Sequence, residues 1–168
     1  MKMKNRLNPR KLKARLATIG SETLKSRRGE RTFRRILVAV DGSEQGAKAA
    51  KIAAQMARFY DAKLVAICVV ELREMPVLIA EAEDSDAEPQ CVKALDQAAA
   101  AAADEGVNIK TVVRRGHIAD QILHYIDEFK PDIILLGSRG TSRSRRLFIG
   151  SVPTTLLHHC KTTIMVVR

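Results

Sequence analysis

From residue 36 to the end of the chain, two hydrophobic periods take turns. Residues 36–40 (Ile-Leu-Val-Ala-Val) form an unbroken apolar run closed by Asp41, Gly42 and Ser43. A run of that length between turn residues predicts a buried strand. Ser43 suits a helix N-cap, and Glu44 behind it faces the positive end of the helix dipole. Ala49, Ile52, Met56 and Phe59 then recur at helical spacing and make the predicted inward face. Lys63–Val70 reads as a second strand. Residues 71–86, with Glu81, Glu83, Asp84 and Asp86, hold neither period and predict an acidic loop. A second helix is expected over residues 88–105, with Val92, Leu95, Ala99 and Ala102 turned inward. The alanine run at 98–103 supplies helix propensity there. The alternation continues with a strand at 107–114 and a helix at 117–129 carrying Ile118, Ile122, Ile126 and Phe129. A strand at 133–136, a glycine-bearing loop at 137–150, a helix at 151–160 and a last strand at Thr163–Val167 complete it.

Strands apolar on both faces and separated by helices predict an α/β fold whose parallel sheet is covered on both sides. Right-handed crossovers wind such a chain into a doubly wound, five-stranded, Rossmann-like sheet, here with the expected order 3-2-1-4-5. In that topology a ligand sits outside the carboxyl ends of the strands, where strand order reverses. The reversal falls between strands one and four, so the segments after residues 40 and 136 are the places to look for chemistry.

Charge divides the chain in two. The net charge is +10, yet residues 1–35 hold thirteen Lys or Arg against only Glu22 and Glu30, and residues 36–168 hold sixteen basic against seventeen acidic. The expected organisation is therefore a basic N-terminal arm over 1–35 and a near-neutral domain over 36–168. Leu12, Leu16 and Ile19 allow a short amphipathic helix between Pro9 and Gly20, although the composition favours a solvated flexible tail. Such an arm implies contact with a polyanion or an anionic membrane without sequence preference, since no aromatics are interleaved for base stacking. Aromatics are 4% of the chain and Trp is absent, so the core must come from Ala, Val, Ile and Leu.

No apolar run reaches the roughly 20 residues of a membrane span. The N-terminus has no secretory h-region, and a transit peptide is the less favoured reading of the arm. Cys68, Cys91 and Cys160 form no C-x-x-C pair. Cys68 and Cys160 read as small buried hydrophobes, from which a reducing, cytoplasmic setting follows.

After the predicted fourth strand comes Gly137-Ser138-Arg139-Gly140, then nine residues, then Gly150-Ser151. Glycines let a backbone approach phosphate and turn its N–H groups toward the anion. Gly150-Ser151 opens a helix, whose free N–H groups and dipole favour negative charge. Arg139 would screen a polyphosphate; for Arg143, Arg145 and Arg146, solvated loop charge is an equal reading. Neither a Walker loop nor a G-x-G-x-x-G fingerprint is present.

The spacing G-x2-G-x9-G-S/T after strand four resembles the nucleotide-binding motif of the universal stress protein family, in its ATP-binding subgroup. The opening I-L-V-A-V-D-G-S, the V-V-E that ends strand two and the closing I-M-V-V-R extend the resemblance over 36–168. It implies an adenine-nucleotide alpha hydrolase-like fold, a role in stress response, and ATP, AMP or ADP as ligand, with Mg2+ as a companion of the phosphates. By the same resemblance Asp41 faces the nucleoside with Ala39 and Val40 beside the adenine, and the main chain of Val69 meets the base. Gly137 and Gly140 line ribose and phosphates, while Gly150, Ser151 and the amide of Val152 hold the terminal phosphates. A homodimer through strand 163–167 is also implied. Two positions depart from the pattern: Pro153 removes an N–H from the first turn of helix four, and His117 stands where Pro is frequent.

An enzyme of the related ATP-pyrophosphatase type would carry S-G-G-x-D-S after strand one, where this chain has Asp41-Gly42-Ser43-Glu44. No nucleophile–base pair or carboxylate dyad is evident. Slow ATP hydrolysis, autophosphorylation or adenylate handling stays open as an alternative to a regulatory binding protein. His158 and His159 are adjacent, and His117 and His124 lack acid or Cys partners at ligand spacing, so no metal site is expected.

Overall fold

The computed structural model describes residues 32–71, 77–138 and 149–168, with the backbone alone over 77–87. Of two compact units, Met1–Thr32 and Phe33–Arg168, the second carries the sheet. Its elements are β1 (Arg35–Ala39), α1 (Glu44–Tyr60), β2 (Lys63–Val70), α2 (Val77–Asp104), β3 (Ile109–Arg115), α3 (Ile118–Phe129), β4 (Ile133–Gly137), α4 (Ser151–His159) and β5 (Thr163–Val167). The five strands pair in parallel in the order β3-β2-β1-β4-β5, the order the sequence predicts. Ala39 lies opposite Ile67 of β2 and Leu136 of β4, which sets the carboxyl ends of the central strands side by side.

Each strand feeds two cores, because alternate side chains point to opposite faces. Ile36, Val38, Leu64, Ala66 and Leu135 pack with alanines of α1 and with Ala94, Leu95 and Ala98 of α2. On the other face Leu37, Val65, Ile67, Ile134 and Leu136 pack with Ile122, Tyr125 and Ile126 of α3 and Leu156 of α4. At the amino edge, the Asp132 carboxylate accepts the N–H groups of Arg34 and Arg35 at 2.7 and 2.8 Å. Phe33 meets Tyr60 edge to face, with ring centroids 5.2 Å apart. The folded unit thus begins a few residues ahead of the apolar run that marks β1.

Three expectations are corrected. Part of 71–86 is helical, because α2 starts at Val77 and runs through Pro89 to Asp104. A residue preceding Pro is disfavoured in a helix, so Glu88-Pro89 reads as a helix start, yet the Ala- and Glu-containing stretch before it carries the helix on. The buried faces are also rotated from those expected. In α1 the buried residues are Gly46, Ala49, Ala50, Ala53, Ala54 and Ala57, while Phe59 is 73% exposed. In α2 they are Cys91, Ala94, Leu95, Ala98 and Ala102, and Val92 is exposed. Small side chains let these helices lie close on the sheet, so alanine takes the positions a bulk-weighted reading assigns to larger residues.

The third correction concerns cysteine. Cys68 of β2 and Cys91 of α2 are joined in a disulfide, with Cα atoms 5.6 Å apart, and Cys160 is the free thiol. Cys68 is buried as read, but it is bonded, so a reducing compartment no longer follows from unpaired cysteines. The pair is 23 positions apart in the sequence, and it is the crossover from β2 to α2 that brings them together.

Candidate functional site

The turn after β1 is built around a carboxylate. Asp41 Oδ1 accepts the Ser43 N–H at 3.0 Å and the Ser43 hydroxyl at 2.6 Å. Ser43 Oγ in turn accepts the Gly46 N–H at 3.0 Å and caps α1. Ser43 is thus the N-cap, as the sequence predicts, but Asp41 orients that cap and has a structural duty of its own. Gly42 adopts φ +80°, a region that side chains resist. A Cβ on Gly46 would lie 2.8 Å from Asp41 Oδ1, so glycine is what lets the carboxylate sit over the first turn of α1. Sequence reasoning overlooked Gly46. Its signal was a glycine at the start of an alanine-rich helix, where glycine costs about 0.5–1 kcal/mol relative to Ala.

Val40, buried just past β1, donates its N–H to the Ile67 carbonyl at 3.0 Å. Val69 follows two residues later in β2, half-buried. Ala39 and Gly137, both half-buried, end the neighbouring strands β1 and β4. Beyond Gly137 the chain is pinned twice: the Ser138 N–H donates to the Val167 carbonyl at 2.6 Å, and the Ser138 carbonyl accepts the Gly150 N–H at 2.8 Å. Ser138 is a buried polar residue, 5% exposed, that the sequence reading did not single out, although it sits inside the glycine motif.

The Ser138–Gly150 bond brings the N-terminus of α4 to the end of β4. Gly150 is the N-cap, at φ −63° and ψ 167°, and offers no side chain to the helix. Any residue adopts that backbone, so conformation does not explain the glycine. Ser151 and Val152 are the first two helical positions, whose N–H groups have no intrahelical acceptor. Pro153 is buried and has no N–H, and the Thr154 N–H already bonds the Gly150 carbonyl at 3.2 Å. Two donors and the positive end of a nine-residue helix thus face the carboxyl edge.

Ala39, Val40, Asp41, Val69, Gly137, Gly150, Ser151 and Val152 therefore gather along one sheet edge, at and beside the reversal of strand order. Arg139 and Gly140 lie outside the described residues, as do Arg143, Arg145 and Arg146. Helix α2 closes over the turn from one side: the Gln90 side chain reaches within 3.6 Å of where a Gly42 Cβ would stand, and the Ala94 Cβ within 4.0 Å.

His117 follows the carboxyl end of β3, where it is the N-cap of α3 and pairs with Asp120 at 3.1 Å. Among the described residues, no group of three His, Cys, Asp or Glu side chains is placed to hold a metal. A separate groove of about 710 Å³ lies at the amino edge between α3 and the start of β5, with Pro131, Cys160 and Thr162 in its lining. Burial pushes the Cys160 thiol above its ordinary range. No helix among the described residues is long and apolar enough to cross a membrane.

Comparison with known proteins points one way. The model of the universal stress protein family matches residues 32–168. A universal stress protein of Methanocaldococcus jannaschii is 29% identical over 146 residues, covering 84% of this chain and 86% of the relative. Among solved structures, the universal stress protein UspA from Lactobacillus plantarum superposes with a TM-score of 0.72 at 26% identity, covering 80% of this chain and 97% of its own. A universal stress protein solved in complex with cAMP gives a TM-score of 0.61 at 25% identity, covering 81% of this chain and 97% of its own.

Proposed function

Since this chain belongs to the universal stress protein family, we propose that it is a regulatory protein of the stress response that binds an adenine nucleotide, ATP first among them, at the carboxyl edge between β1 and β4. The nucleoside lies against Ala39, Val40 and the Asp41 carboxylate, with the base toward the main chain at Val69. The phosphates run past Gly137 and Gly140 to the N-terminus of α4, where the N–H groups of Ser151 and Val152 receive them. Arg139 adds positive charge along the way, and Mg2+ accompanies the phosphates.

The observation that carries this reading is the Ser138–Gly150 bond. It fixes a helix N-terminus with no capping side chain beside the strand end that neighbours Asp41. An anion supplies what the cap leaves out, because the open N–H groups and the dipole both favour negative charge. The relative solved with cAMP supports the ligand class. Two further parts of the proposal rest on the sequence and the sheet: a cytoplasmic homodimer paired through β5, and polyanion or anionic-membrane contact through the basic arm of residues 1–35. Mass spectrometry of small molecules released from the purified protein tests the ligand directly. ATP, ADP or AMP at near-stoichiometric amounts is the expected result. A protein that carries no nucleotide and takes up none on dialysis against ATP contradicts the proposal.

A further inference from the structure

Cys68 immediately precedes Val69, the residue assigned to the base, and its sulfur is bonded to Cys91 on α2. The same turn of α2 carries Gln90 and Ala94, whose side chains lie within 3.6 and 4.0 Å of where a Cβ on Gly42 would stand, beside Asp41. One covalent bond therefore ties the strand on one side of the nucleoside position to the helical turn that closes over the other side. Both cysteines lie in the core cluster between the sheet and α1/α2, at 4% and 2% exposure. An ion pair between Glu88 of α2 and Arg115 of β3 braces the same stretch from the surface.

We propose that Cys68–Cys91 is a thiol–disulfide switch on nucleotide affinity. In the oxidised state the bond holds the Gln90–Ala94 turn down on Gly42, so Asp41 and the Val69 main chain are presented in one fixed arrangement. The reductant is a dithiol. One of its thiolates attacks a protein sulfur, the S–S bond breaks and the other cysteine leaves as a thiolate that takes a proton. The second thiol of the reductant then closes on the mixed disulfide and expels the remaining cysteine, which is protonated in turn. Two electrons and two protons pass to the protein, and the reductant becomes a disulfide. Without the bond the α2 turn is held on the sheet by packing alone, the closed arrangement is less populated, and affinity falls by that fraction. The bond lies against the proposed ligand site rather than across a surface loop, so a change in its redox state reaches binding.

The coupling is reciprocal. The sulfurs are buried, so attack requires the α2 turn to lift, and a bound nucleotide that needs the turn closed slows that attack. This inference rests on the adenine-nucleotide reading, and the experiment separates the two. In a Cys160→Ser background, AMP and ATP binding is measured by calorimetry on the oxidised protein, on the same protein reduced with excess dithiothreitol, and on Cys91→Ala. The rate of reduction by dithiothreitol is followed with and without AMP. The expected result is binding to the oxidised form, weakening of about fivefold or more on reduction, the same weakening in Cys91→Ala, and slower reduction when AMP is present. Equal affinities in the two redox states overturn the switch and leave the nucleotide reading standing. Binding in neither state overturns both. Free thiols at both Cys68 and Cys91 in air-oxidised protein, or loss of the helical circular dichroism on reduction, shows an absent bond or a mere staple and also overturns the switch.

Discussion

The Ser43 hydroxyl donates to Asp41 Oδ1 at 2.6 Å while its own oxygen accepts the Gly46 N–H. One residue caps the helix, and the other holds the cap at the carboxyl edge of the sheet. The two duties of Asp41 come apart by substitution. Asp41→Asn keeps an oxygen to accept from Ser43, so it should retain the thermal stability of the parent within about 1 kcal/mol and still lose affinity for adenosine and ATP alike. Asp41→Ala should lose both. Thermal melts beside calorimetry read the two effects, and an Asp41→Asn protein with parental affinity would show that the charge plays no part in binding.

Gly46 depends on the same carboxylate. On helix propensity alone, Gly46→Ala should stabilise α1 by about 0.5–1 kcal/mol. With Asp41 Oδ1 only 2.8 Å from the new Cβ, the variant should instead be destabilised or bind adenosine more weakly. A stabilised variant with unchanged affinity would place the carboxylate elsewhere.

The strands were legible because parallel strands are buried on both faces and so read as continuous apolar runs, as at 133–136. Strand order followed from the crossover rule once five strands alternated with helices. Helix faces were less legible: Ala53 and Ala57 bury as completely as any leucine, yet carry less weight in a periodicity reading than Phe59, which lies exposed. The start of α2 was hidden by Pro89, whose presence mimics a first turn. The disulfide had no local signal at all. Of the site, the glycines and Asp41 stood out as residue types at a strand end. Gly46 and Ser138 did not, because their importance lies in what touches them: a carboxylate in one case and the α4 N-terminus in the other.

The basic arm should act independently of the nucleotide site. A cut after residue 31 removes eleven of the arm's thirteen cations and spares the Phe33–Tyr60 contact and the Arg34 and Arg35 bonds to Asp132. The truncated protein should lose binding to heparin or duplex DNA, which in the full chain should weaken steeply with salt, and should keep its affinity for ATP. Loss of ATP binding on truncation would make the arm part of the nucleotide site.

Among the described residues strand β5 has β4 as its one neighbour in the sheet, and Met165 on it is 36% exposed. An apolar edge strand tends to pair with another chain, so the protein should sediment as a dimer at micromolar concentration. Met165→Glu places like charges across a two-fold axis and should shift it toward monomer. Sedimentation velocity reads both, and a monomeric parent would contradict pairing through β5.

The central claim is that the N-terminus of α4 is left uncapped for phosphate, and Gly150→Ser tests it most directly. The backbone of Gly150 is one that serine adopts freely, at φ −63° and ψ 167°, and serine is among the preferred N-caps. Its hydroxyl would accept from the Val152 N–H, the donor assigned to phosphate, since Pro153 has none to give. The variant should therefore be at least as stable as the parent. In calorimetry it should bind adenosine unchanged but lose about 1–3 kcal/mol of ATP affinity, the scale of a charged hydrogen bond given up. A Gly150→Ser protein that binds ATP and adenosine as the parent does would show that no phosphate reaches α4, and the nucleotide would not lie where this account places it.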